Sequence, residues 1–318
     1  MGYGFAGQIG IVRESTFGTA PARNRFIEAL SESITTTIER FETRNVTGAY
    51  YEPNDAAGTL KAEGDIVFAA NPEGVGVALC GVLGISSTTV VASGFYTHEF
   101  FQNTTDASSH APVPSYSVEV FRDITSANLY MGGIFTKVSL NCQNNQDLRV
   151  TGSMKFQTTS LCAKSVATFP GSPVDPFTFD TCSIGIGGTA STIVEAFTLD
   201  LDNQAEAFSA LNSTSRIVRY RRKGPLMVRL KATVAFEGKS EYEDFLNQTE
   251  RRWTFNFTKA ASFALALDIP NVVLTGYPIN IGGRERITVS LEGKARYNVA
   301  SAYVFKATLT NILSGYAA

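Results

Sequence analysis

Catalysis needs titratable side chains brought together, and this sequence offers few candidates. His98 and His110 are the only two imidazoles, so a Ser-His-Asp hydrolase would have to use one of them. His110 lies just after Asp106 and Ser109. Triads are assembled from distant parts of a fold, so that closeness lends no support, and a solvated loop histidine is the simpler reading. Gly2, Gly4 and Gly7 match the spacing of a dinucleotide-binding loop, which must open a helix so that phosphate meets the helix amino end. A strand-like Gln8-Ile9-Gly10-Ile11 follows them instead, and they read as an arm. Gly185, Gly187 and Gly188 read as a strand-to-strand turn. Glu241, Glu243 and Asp244 fall on the first turn of a helix, where acids complement the dipole. The four cysteines, at 80, 142, 162 and 182, form no CxxC pair, and two histidines are too few for a zinc site. They read as free thiols. No catalytic, cofactor-binding or metal-ligating residue is assigned, and no cofactor is expected.

Two charged constellations remain. Arg219-Tyr220-Arg221-Arg222-Lys223 is a basic run with an aromatic inside it, suited to nucleic acid or to docking a loop on an acidic neighbour. The chain carries 27 basic and 29 acidic residues, a net charge of −2. That balance gives no long-range pull toward nucleic acid or anionic lipid, and it favours protein contact. The second constellation sits on alternating strands: Glu39, Glu63, Asp65, Asp200 and Asp202 against Lys61, Arg229 and Lys231, an excess of carboxylates.

The elements that must position these residues are strands. Alternation marks strands at Ser33–Phe41, Leu60–Phe68, Phe95–Phe100, Tyr116–Phe121, Gly133–Cys142 and Leu148–Phe156, then at Phe177–Ile186, Ile193–Asp202, Val228–Phe236 and Val289–Tyr297. Ile34, Thr36 and Ile38 read as the inward side of the first. Asn71-Pro72-Glu73 opens a helix that carries Val75, Leu79, Val82 and Leu83 and stops at Gly84. Ser240 and Glu243 read as a capping box for a second helix bearing Tyr242, Phe245 and Leu246. Long polar loops interrupt a strand pair in each half, at Asn45–Gly58 and Asn203–Gly224. No run approaches the roughly 18 apolar residues of a membrane span, and no signal peptide is visible.

The cluster Pro170, Gly171, Ser172, Pro173 and Pro176 divides the chain, because proline and glycine seldom sit inside regular elements. The order sheet, long loop, helix, sheet occurs on both sides. Leu60–Phe68 matches Val228–Phe236 at an offset of 168, and Leu148–Phe156 matches Val289–Tyr297 at 141. The expected architecture is all-β with minor α: two tandem β-sandwich or β-barrel domains, each with one short helix. The boundaries are an amino-terminal arm at 1–25, a first domain at 26–160, a linker at 161–176 and a second domain at 177–318.

One segment carries a resemblance. Gly10-Ile11-Val12-Arg13-Glu14-Ser15-Thr16-Phe17-Gly18-Thr19, followed by Phe26 and Ser31-Glu32, resembles the amino-terminal signature of tail tube proteins of long-tailed, siphovirus-like bacteriophages. The resemblance implies a structural virion protein, made in the host cytoplasm, whose rings stack into a tube that conducts the genome. Single-domain members form sixfold rings, and duplicated members, which this chain resembles, form trimers. It implies the partners of such a tube: further copies of the chain, tail tip or baseplate, tape-measure and tail terminator proteins, and DNA passing without specific binding. Tyr50, Tyr51, Glu52, Arg219, Tyr220, Arg221, Arg222 and Lys223 become candidate ring-stacking contacts on two mobile loops. Glu39, Lys61, Glu63, Asp65, Asp200, Asp202, Arg229 and Lys231 become candidate lumen residues. The competing reading is a carbohydrate- or receptor-binding β-sandwich protein of a virion or cell surface.

Overall fold

A computed structural model describes residues 2–42, 55–92, 94–102, 114–169, 175–211, 217–260, 262–279, 284 and 286–316. In chain order the first half contains β1 (Gln8–Arg13), β2 (Arg25–Ile27), β3 (Ala29–Glu32), β4 (Thr35–Glu42), β5 (Asp55–Ala69), helix α1 (Val75–Leu83), β6 (Gly84–Ala92), β7 (Phe95–Gln102), β8 (Tyr116–Phe121), β9 (Ala127–Gln143), β10 (Arg149–Phe156) and β11 (Thr158–Cys162). The second half contains β12 (Cys182–Ile186), β13 (Thr189–Ser191), β14 (Val194–Asp202), β15 (Ala205–Phe208), β16 (Arg219–Arg222), β17 (Met227–Ala235), helix α2 (Ser240–Leu246), β18 (Arg251–Ala260), β19 (Phe263–Gly276), β20 (Thr288–Ala295) and β21 (Lys306–Asn311). The protein is therefore all-β with minor α, and its antiparallel sheets are open, not closed into a barrel.

Alternation explains the layers. In β10, β14, β17 and β20 every second side chain is buried, so each strand hides one face and wets the other. These strands belong to one continuous inner sheet in the order β4–β5–β10–β9–β14–β17–β20–β19. Two long strands leave it partway and enter an outer layer. β9 pairs with β10 and β14 along its carboxyl half, and with β8 and β11 along its amino half. The handover falls at Gly132, with φ +65°, and at Gly133, where a Cβ would come within 2.5 Å of the Phe156 ring; only glycine meets both demands. β19 makes the same change around Pro270, which has no amide to offer a ladder. The outer groups run β2–β1–β8–β9–β11 and β13–β12–β18–β19–β21–β7–β6.

The order of pairing thus recurs. Each half begins with a hairpin, β1–β2 or β12–β13, laid beside the strand that precedes its long handover strand, β8 before β9 or β18 before β19. Each contributes four strands in the same sequence to the inner sheet. One apolar core runs through both halves, from Ile9 to Tyr316.

Several expectations change. Residues 8–25, expected as an arm, contain β1 and begin β2, both paired into the outer layer. β4, expected to be half-buried, is exposed along all eight residues, Ile38 and Phe41 included, because it is an edge strand reaching past its neighbours. The second helix is there, but Lys239 is its N-cap and makes no side-chain bond, so the capping box does not form. Asn203–Gly224 is not a structureless loop, since β15 and β16 form their own two-stranded hairpin within it.

Candidate assembly surfaces

Tyr50, Tyr51 and Glu52 lie outside the described residues. Four residues of the basic run, Arg219–Arg222, form β16, and strand alternation splits them. Tyr220 is buried and donates from its hydroxyl to the Phe156 carbonyl at 3.0 Å, while Ile217 and Ile134 pack with it and Phe17 lies against the cluster. Burial pushes its phenol well above the ordinary tyrosine range. Arg222 also turns inward: its Nη2 donates to the carbonyls of Leu83, at 3.1 Å, and Val82, at 3.4 Å. It caps the carboxyl end of α1, where orphan carbonyls favour a cation. Burial lowers the Arg222 pKa. Arg219 and Arg221 flank the Phe208 ring at 5.0 and 5.4 Å, and Lys223 pairs with Glu206 at 3.5 Å. Two of the five described residues in the contact set proposed from sequence are therefore internal: Tyr220 and Arg222 bind the hairpin of the second half onto the first.

The lumen candidates do share one face of the inner sheet. Register sets Asp200 opposite Arg229, Thr198 opposite Lys231 and Thr37 opposite Lys61. β9, β10 and β20 complete that face and add residues the sequence reading left out. Lys137 is opposite Asp202, Lys155 is opposite Glu63, Lys294 is opposite Arg229, Arg149 is opposite Ala69 and Glu292 is opposite Lys231. The carboxylate excess disappears, since four cations are added against one acid. Eight of these charges form four pairs: Lys61 with Glu39, Lys155 with Glu63 at 3.5 Å, Lys137 with Asp200 at 3.2 Å and Lys231 with Glu292 at 2.9 Å. Hydrogen bonding to their partners raises the pKa of Lys61 and Lys231 and lowers that of Glu292. The polar positions of these strands were legible as alternation, but their membership of this face was not.

Two edges of the inner sheet stand open among the described residues. β4 pairs only with β3's neighbour β5. β19, beyond Val272, has β20 on one side and no partner on the other. Unpaired backbone groups on a long edge are a template for another chain. Among the described residues no cluster of His, Cys, Asp and Glu is placed to hold a metal, and no helix is long and apolar enough to cross a membrane.

The described residues thus form a mostly β molecule with two open sheet edges and no assembled metal site, the make-up of a structural protein. The family model described as phage tail tube protein matches residues 4–295, and the chain belongs to that family. Its place is accordingly the virion tail. Comparison with curated proteins finds no match.

Proposed function

We propose that three copies of this chain close into a ring and that the rings stack into a tube conducting the viral genome to the host. The carrying observation is the β9·β14 pairing inside the chain, seven residues long from Lys137↔Asp202 to Gln143↔Ala196. β14 holds the same position beside β17 that β4 holds beside β5. β19 holds the same position beside β20 that β9 holds beside β10. Joining β19 of one chain to β4 of the next therefore repeats a junction the chain already makes. Two repeats per chain and three chains restore six equivalent positions about one axis, a closed assembly without free inner edges.

The polar face of the inner sheet would then line the lumen. Its ion pairs leave little net field, so phosphates meet neither a strong attraction nor a strong barrier, which suits a duplex that must slide. The β15–β16 hairpin, with Arg219, Arg221 and Lys223 outward, supports a role in contact between rings, and the tube's ends would meet the proteins that begin, measure and terminate it. Sizing with light scattering, followed by negative-stain imaging, tests the ring: trimers, or tubes built of them, are expected. A monomer that persists at high concentration, or a ring of six chains, refutes it.

A further inference from the structure

The two helices hold equivalent places and are covered very differently. α1 packs on β9 as α2 packs on β19. All nine residues of α1 are buried, and none of α2 is. The last residue of each is a leucine: Leu83 is 0% exposed and Leu246 is 59% exposed. Part of the difference comes from β6 and β7, which pack on α1 and have no counterpart after α2, and part from the other half of the chain. Arg222 of the second half caps α1, and Tyr316, also of the second half, lies so close to α1 that a Cβ at Gly76 would come within 2.2 Å of its ring. Nothing from the first half reaches α2 in the same way among the described residues.

We infer that the outer side of α2, centred on Leu246 and Tyr242, is a chain-to-chain contact covered by the first half of the next copy. This rests on the ring reading and names a surface within it. The patch is continuous with the seam proposed there: Tyr242 and Phe245 lie against Tyr277, at 5.4 and 6.3 Å between rings, and Tyr277 directly follows the open end of β19. The helix is also held firmly enough to serve as a docking surface. Asp244 takes a two-pronged contact from Arg251 at 2.8 and 2.9 Å, and Phe245 packs on the core.

The test uses the full chain. Leu246→Asp should leave the circular dichroism spectrum and unfolding midpoint as in the parent and weaken trimer association roughly 30-fold or more, the scale of losing one buried leucine. Leu246→Met should assemble as the parent does. A photo-crosslinking amino acid at 246 in the assembled protein should join another chain within residues 2–162. Trimers that tolerate Asp, or crosslinks confined to the same chain or to the second half of another, overturn the contact while leaving the ring intact. A parent that stays monomeric overturns the ring itself. Should the Asp variant unfold, the crosslink decides.

Discussion

Glu14 shows why a short sequence pattern can be legible before its structure is. It is buried; its Oε1 accepts from the Ser117 hydroxyl and, at 2.8 Å, from the Gly132 amide, and its Oε2 accepts from the Gly18 amide at 2.8 Å. Gly18 has φ +75°, a conformation that favours glycine. The glutamate and the glycine of the amino-terminal segment are thus one device, pinning the start of the chain to the bend in β9. His98 was legible only as an imidazole. Far from solvent, it is fully buried; its Nε2–H donates to the Leu313 carbonyl at 2.9 Å and faces the Asn311 Oδ1 at 3.1 Å, while Nδ1 faces the Thr88 hydroxyl at 2.9 Å. Tyr96, Phe100 and Tyr316 surround the ring. Burial, with a smaller push from Arg25, lowers its pKa. A base whose folded pKa lies below its unfolded one stabilises the fold fully above the unfolded value, about 6.5, and loses that contribution as pH falls through it. Chemical unfolding between pH 7.5 and 5.5 should show stability declining with acid, and the decline should flatten in His98→Gln.

At the scale of elements, alternation found nearly every strand of the inner sheet but could not say which strands were neighbours. The two offsets, 168 and 141, illustrate this. The registers of β5 with β10 and of β17 with β20 are incompatible with that pair of offsets taken together. The shared bonds Ala70 amide to Leu148 carbonyl and Phe236 amide to Ile287 carbonyl indicate 166 and 139. Each differs by two residues, so every side chain keeps its face and the pattern alone could not detect the slip. The β15–β16 hairpin was missed because Tyr220 and Arg222 look like loop residues until a helix end is set beneath them. Its two sides should respond differently to mutation. Arg222→Ser leaves buried carbonyls of α1 without a donor and should cost roughly 1–3 kcal/mol. Arg219→Ser, Arg221→Ser and Lys223→Ser together should change stability by about 0.5 kcal/mol or less while shortening tubes or making them salt-sensitive. Urea unfolding and tube-length measurement separate the two. Parent-like tubes from the triple variant would return DNA contact as the role of this run.

Across the whole molecule, the halves are fastened by more than the inner sheet. The hairpin β6–β7 of the first half pairs with β21 of the second. The carboxyl-terminal segment returns to the first half, where the Tyr316 hydroxyl donates to the Glu73 carbonyl at 2.9 Å and Arg25 lies over its ring at 4.7 Å. The duplicated order was legible from the proline-rich divider and the repeated patterns, but this cross-bracing was not, since it joins residues far apart in sequence with no shared motif. Tyr316→Ala should cost roughly 3–5 kcal/mol, as for other buried aromatics, and should broaden the single unfolding transition or split it. A sharp transition at the parent midpoint would show that the inner sheet alone couples the halves.

The β9·β14 junction also has a consequence for the kinetics of assembly. A seam made within one polypeptide depends on closing a loop, whose cost rises only slowly with length, and not on protein concentration. In the ring proposed above, half the seams are formed before any two molecules meet. Ring formation from this chain should then show a third-order limit in concentration at most, where an unduplicated relative faces a sixth-order one, and dilution would limit it less.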